Sequence, residues 1–166
     1  MPKRFKYTPP PPPPPEVQTE WVEAPEPKVE QLKQQNNMES RFFNDNTWRN
    51  ATPSCTRADM NDEFVARLVR TRERANTPFF IKSAARTREH ELRQGRSGNS
   101  SHVPVESDIK EERGARAVDI RCTESRARFH IISAAIQEGF TRIGVHPNFI
   151  HLDDSPTHDQ QVVWFY

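Results

Sequence analysis

From Arg41 onward the apolar residues fall into short runs with readable periods; before it they are sparse and set no period. Phe42, Phe43 and Trp48 form an aromatic cluster that needs a core. Met60, Phe64 and Leu68, with Val65 and Val69 beside them, recur at helical spacing and predict one buried stripe. Asp59 or Asn61 can cap this helix, which runs to about Ala75 before Thr77–Pro78 breaks it. Arg67, Arg70, Arg72 and Arg74 lie mostly outside the stripe, as a solvated face. PFFIKSAA reads as a short strand over Phe79–Lys82, and RAVDIRC as a second strand. Between them RTREHELRQGRSGNSS is polar and contains glycine, a long loop with one helical turn around Glu89–Arg93. Ser125 can cap a second helix that buries Phe129, Ile132, Ala135 and Ile136, and Gly139 suits its left-handed C′ position. Thr141–Val145 and Asn148–Leu152 are strands around the His146–Pro147 turn, and VVWFY is a last strand. The pattern predicts an α+β domain, two main helices against a small, mostly antiparallel sheet.

Composition changes the picture only at the start of the chain. Of 166 residues, 33% are hydrophobic and the mean hydropathy is −0.92, because the first forty are nearly all polar or proline. Pro9–Pro15 are seven consecutive prolines, an extended polyproline II stretch. Residues 1–38 therefore read as a disordered Pro/Glu/Gln-rich tail, either a solvated linker or a docking segment for an unknown partner. Residues 39–166 read as one domain. A net charge of +1 argues against nucleic acid or an anionic membrane as the main partner. Cys55 and Cys122 are too few for a disulfide framework and read as thiols. The chain has no apolar run long enough to span a membrane, and no apolar segment follows the basic MPKRFKY, so no signal peptide is expected.

Candidate chemistry concentrates in the last 65 or so residues. Asp119 sits in AVDI, His151 in FIHLD, and His102 ends NSSH. Two imidazoles and one carboxylate make the ligand set of an open catalytic zinc site if they converge. Each has an ordinary alternative: an arginine partner for Asp119, a surface place for His102. Their spacing forms no specific motif. His130 and His158 read as structural or solvated, and His90 and His146 as secondary to the trio. Cys122 is three residues beyond Asp119 on a strand, hence on the opposite face.

Four pieces in order carry a resemblance. PFFIKSAARTREHE resembles a strand followed by S-G/A-x-R-T/S, and NSSH resembles an S-x-H ligand segment. GARAVDI resembles G-x-A-x-D, and EGFTRIGVHPNFIHLD with Trp164–Tyr166 resembles the G-F-x-R-I-G…F-I-H-x-D ending with its W-x-Y close. Over about residues 53–166 the chain resembles the zinc D-Ala-D-Ala carboxypeptidases and related phage endolysins, peptidoglycan peptidases of the hedgehog-type fold. The resemblance implies one zinc per chain on His102, Asp119 and His151, with peptidoglycan peptides as substrate and a phage setting. It implies that Arg86 faces the substrate, holding a carboxylate or the developing oxyanion.

The chain departs from that pattern twice. His102 and Asp119 are seventeen apart instead of seven, with VPVESDIKEE reading as an insertion that loops out; the rival register makes Glu112 the first ligand. Asn148 stands three before His151, where many relatives carry the catalytic acid/base. Asp153 is then the expected proton acceptor, or else a group that orients His151. The alternative function is a catalytically inactive binding or virion protein on the same fold.

Overall fold

The computed structural model describes residues 37–166. The tail expected over 1–38 lies outside the described residues, except for Asn37 and Met38, which open helix α1 (residues 37–42). Helix α2 (Asp45–Arg49) follows, with the Asn44 side chain accepting from Thr47 N. Helix α3 (Asp62–Ala75) starts at Asn61, whose side chain accepts from Phe64 N at 3.0 Å. It stops at Asn76, which takes a left-handed conformation at φ 46° just before Thr77–Pro78. Phe64, Val65, Leu68 and Val69 are buried along it, the stripe that the spacing predicts.

The remaining elements are β1 (Phe80–Ser83), α4 (Arg88–Arg93), β2 (Ala117–Arg121), α5 (Ser125–Gln137), β3 (Arg142–His146), β4 (Phe149–Asp153) and β5 (Val162–Phe165). They form one five-stranded sheet in the order β1-β2-β4-β3-β5. Every pairing is antiparallel except β3 with β5, which is parallel. Helices α3 and α5 pack on each other, and α5 also packs on β4. Val118, Ile120, Ile143, Ile150 and Leu152 all belong to the buried core, on the sheet face opposite Asp119 and His151. Among the described residues no helix is long and apolar enough to cross a membrane.

Two local expectations are corrected. Glu124, not Ser125, caps α5, its carboxylate accepting from Arg126 N and Ala127 N. The helix also sits in a different rotation: Ile131, Ala134 and Ala135 are buried, while Phe129 and Ile136 are 68% and 58% exposed. Apolar residues wrap more than one side of α5, so periodicity alone does not fix which side packs. The alanines do, because their small side chains let α5 come close to its neighbours.

The segment after His102 makes a closed excursion. Val105 and Gly114 exchange backbone hydrogen bonds in both directions, at 3.2 and 3.0 Å, so the ends of the stretch meet. Gly114 has φ +93°, and a Cβ there would lie 2.5 Å from Asn61 N, so no other residue fits. Asn61 is buried, and its amide donates to the carbonyls of Glu111 and Arg113. One side chain thus caps α3 and ties down the excursion.

Ile131→Ala should lower stability by about 2–4 kcal/mol through the cavity it leaves. Phe129→Ala should stay within about 0.5 kcal/mol. Urea denaturation of both variants checks the rotation of α5, and a reversed order would refute it.

Candidate metal centre

Strand register draws a line of residues across the open sheet face. Ser83 lies opposite Asp119, Asp119 opposite His151, His151 opposite Gly144, and Gly144 opposite Trp164. Because side chains alternate along a strand, their neighbours Val118, Ile120, Ile150 and Leu152 go to the core. His102 arrives from the loop after α4. Its carbonyl accepts from Arg86 N at 2.8 Å, and Ser101 O accepts from Arg116 N, which fastens that loop next to β2.

His102, Asp119 and His151 are buried, and one donor atom from each lies within 4.8 Å of the others. Their outer hydrogen bonds set the protonation pattern. His102 Nδ1 lies 2.6 Å from Ala84 O, a pure acceptor, so Nδ1 carries the hydrogen. His151 Nε2 lies 2.9 Å from Asp153 Oδ2, so Nε2 donates as well. The lone pairs of neutral His102 Nε2 and His151 Nδ1 then face each other across 3.3 Å. Asp119 Oδ1 is 2.8 Å from His151 Nδ1 and 3.4 Å from His102 Nε2. With both imidazoles neutral, three acceptors converge on one point, an arrangement that a cation stabilises; a proton on His151 Nδ1, shared with Asp119, serves in its place. Donors about 2.1 Å from a tetrahedral zinc stand about 3.4 Å apart; the 3.3 and 3.4 Å separations match that spacing, and the His151–Asp119 separation of 2.8 Å is shorter. Two imidazoles and a carboxylate leave a fourth position for water.

Charge around the trio is balanced by arginines. Arg86 donates to Ser83 Oγ at 2.7 Å, to Glu91 Oε1 at 3.3 Å and to Asp119 Oδ2 at 2.5 Å. Glu91 is buried and also accepts from Arg96 at 2.9 Å. Asp153 Oδ1 accepts from Arg142 Nε at 2.8 Å and from Ser155 N at 3.2 Å. Both oxygens of Asp153 are therefore engaged, one of them on the far side of the His151 ring from Asp119. That arrangement suits orientation of a ligand better than proton uptake from water.

The ionisation tendencies follow from these contacts. Burial pushes the His102 imidazole below its ordinary value. Burial also opposes charge on His151, but Asp119 and Asp153 outweigh it and raise the value. For Asp119, burial works against ionisation, yet the two histidines hold its carboxyl well below the usual range. Asp153 is held low in the same way, burial being outweighed by His151 and Arg142.

The other sequence candidates fall apart from the trio. Glu112 is exposed and accepts from Ser107 Oγ, away from the converging donors. Asn148 is exposed in the β3–β4 turn, donating its N–H to His146 Nδ1. Cys122 is buried against Glu124 O. His146 stacks on Phe149 at 4.3 Å, His130 is exposed, and His158 lines the cleft with Nε2 3.2 Å from Asn99 O.

The cleft over the trio is about 350 Å³ and is lined by Arg86, Glu91, Arg142, Trp164 and Tyr166 among others. Sequence reading misses Glu91, one acid in a strongly charged loop, and Gly144. A Cβ on Gly144 would lie 2.8 Å from the Trp164 ring and 2.9 Å from Tyr166. The bare backbone there lets both rings lie down beside His151, whose own ring is 5.4 Å from that of Trp164.

Wild-type protein should carry one zinc per chain, lost in His102→Ala and kept in Glu112→Ala, as read by metal analysis of dialysed samples. Chelation should lower the melting temperature; zinc at about a thousand times its dissociation constant is worth about 4 kcal/mol. Zinc lost through Glu112→Ala and retained in His102→Ala would reverse the ligand assignment.

Among curated proteins, none matches the chain. The sequence model of one protein family does, over residues 34–153, and that family is described as peptidase M15, the family of the zinc D-Ala-D-Ala carboxypeptidases. The match spans both strands that supply Asp119 and His151 and the loop that supplies His102. With that span and a buried donor trio suited to the family's metal, the chain belongs to the peptidase M15 family of metallopeptidases.

Proposed function

We propose that this chain is a zinc peptidase that hydrolyses a peptide bond in bacterial peptidoglycan, in a stem peptide or a cross-link. One observation carries the reading. Two imidazoles anchored from behind, with Asp119, turn three lone pairs onto one point at the floor of an open cleft. A zinc held by His102, Asp119 and His151 would lower the pKa of a bound water and polarise a carbonyl.

The chain's own residues do the rest. Ala84 O and Asp153 hold the two imidazoles in the tautomers that ligate. Arg86 fixes Asp119 from outside, and Ser83 and Glu91 fix Arg86. A guanidinium has five N–H donors. Three are used by these partners, which leaves two for a substrate carboxylate or the oxygen that becomes negative during attack. Trp164 and Tyr166 form the wall against which a peptide can lie. Asp153 is assigned as the residue that orients His151, with Arg142 setting Asp153. The resemblance to endolysins supports a phage enzyme acting on the host wall.

A second reading is favoured by Asn148, which cannot take a proton where relatives carry an acid, and by the double engagement of Asp153. In it the chain binds zinc and peptidoglycan without cutting.

His151→Ala should abolish zinc binding and muropeptide release from purified peptidoglycan together. Asp153→Asn should weaken zinc affinity by about 10–100-fold, as expected for a residue that acts through a ligand. If Asp153→Asn keeps wild-type zinc affinity and loses only turnover, Asp153 is the proton acceptor instead. Zinc bound by wild type without any muropeptide release establishes the second reading.

A further inference from the structure

A second row crosses the open sheet face two residues along β2, β4 and β3 from the metal row. Phe80 lies opposite Arg121, Arg121 opposite Phe149, and Phe149 opposite His146. Tyr166 extends it, its ring 5.3 Å from Phe149 and 5.8 Å from His146. The Lys82 ammonium sits 4.5 Å over the Phe149 ring. Phe80 is 65% and Tyr166 61% exposed. Large aromatic faces and cations alternate here on open surface, although nothing in the fold needs them there.

This row edges a second cleft of about 380 Å³ that shares Arg86, Arg96, Asp119 and Phe149 with the metal cleft. Lys82, Arg86, Arg96 and Arg121 line it, and the one carboxylate that does so, Asp119, is already held by Arg86. Among the described residues neither Lys82 nor Arg121 has a carboxylate within ion-pair distance. Two cations beside exposed rings, continuous with a peptide-cutting cleft, are complementary to an acidic stretch of substrate. Two residues along a strand is about 7 Å, the span of two residues of an extended peptide.

We propose that Lys82 and Arg121, with the Phe149 ring beside them, form a subsite for a carboxylate-bearing substrate residue about two positions from the cleaved bond. The inference rests on the peptidase reading above and gives it a substrate preference: free-acid peptides over their amidated forms. A guanidinium or ammonium facing a carboxylate on exposed surface contributes a preference of up to about fivefold.

The test uses the full chain and two muropeptides with a diaminopimelate stem, identical except that the stem carboxylates are free or amidated. Cleavage is measured as kcat/KM, and binding separately by the change in tryptophan fluorescence. Wild type should prefer the free acid about tenfold in both readouts, because two exposed ion pairs of about threefold each multiply. Arg121→Gln and Lys82→Gln should each shrink that ratio, and the double variant should bring it near one. Arg121→Lys should keep part of it. Both positions are exposed, and an unchanged melting temperature verifies folding of each variant. Cleavage with no preference, or a preference that survives in the double variant, overturns the subsite and leaves the peptidase reading standing. Preference in binding without cleavage keeps the subsite and overturns the peptidase reading. Neither binding nor cleavage of either peptide overturns both.

Discussion

The pairing of Asp119 with His151 at the candidate metal centre depends on one register, that of β2 against β4. Asp119 faces His151 because these strands pair with Val118 opposite Leu152 and Ile120 opposite Ile150. A slip of one residue would send the ligands into the core and the aliphatic residues to the open face. The core residues are almost wholly buried under α3 and α5, and an unpaired carboxylate in their place would be costly. Apolar packing on one face of the sheet thus sets the spacing of Asp119 and His151 on the other. The same register carries outward through Gly144 to Trp164, so the wall of the cleft is placed by the same pairing as its floor.

Around the trio, charge is stored in pairs. Asp119 answers Arg86, Asp153 answers Arg142, and Glu91 sits between Arg86 and Arg96. Buried ions keep their charge only where a partner and further hydrogen bonds compensate for lost water. Here each carboxylate gives one oxygen to an arginine, and in Asp119 and Asp153 the other oxygen turns to a histidine. The outer nitrogens of the two imidazoles are held by Ala84 O and Asp153, which lie outside the converging trio. Such support is what keeps a ligand set ready for its ion.

Much of this was legible in the chain. The α3 stripe at Phe64, Leu68 and Val69, the Asn61 start and the left-handed Gly139 follow from period and capping chemistry. The three ligand types in strand-like surroundings, read with a family resemblance, name the trio that the fold brings together. Other features resist a linear reading. The rotation of α5 depends on which side the alanines allow to approach, and its surplus of apolar residues hides that choice. Glu91 carries no local signal, because its importance comes from two arginines, five residues before it and five after. The His102–Asp119 interval misleads any argument from spacing, since the stretch between them leaves the centre and returns to it.

That excursion has a further consequence. Its ends are joined by the Val105–Gly114 bridge, and its base is stitched to α3 through Asn61. Residues between these ties face solvent, and the entropy of a closed loop grows only slowly with length, about 0.6 kcal/mol for each doubling. Chain length there is therefore uncoupled from the distance between the ligands. A longer or shorter stretch near Asp108 alters a loop whose ends are already joined, and leaves His102 and Asp119 where they are.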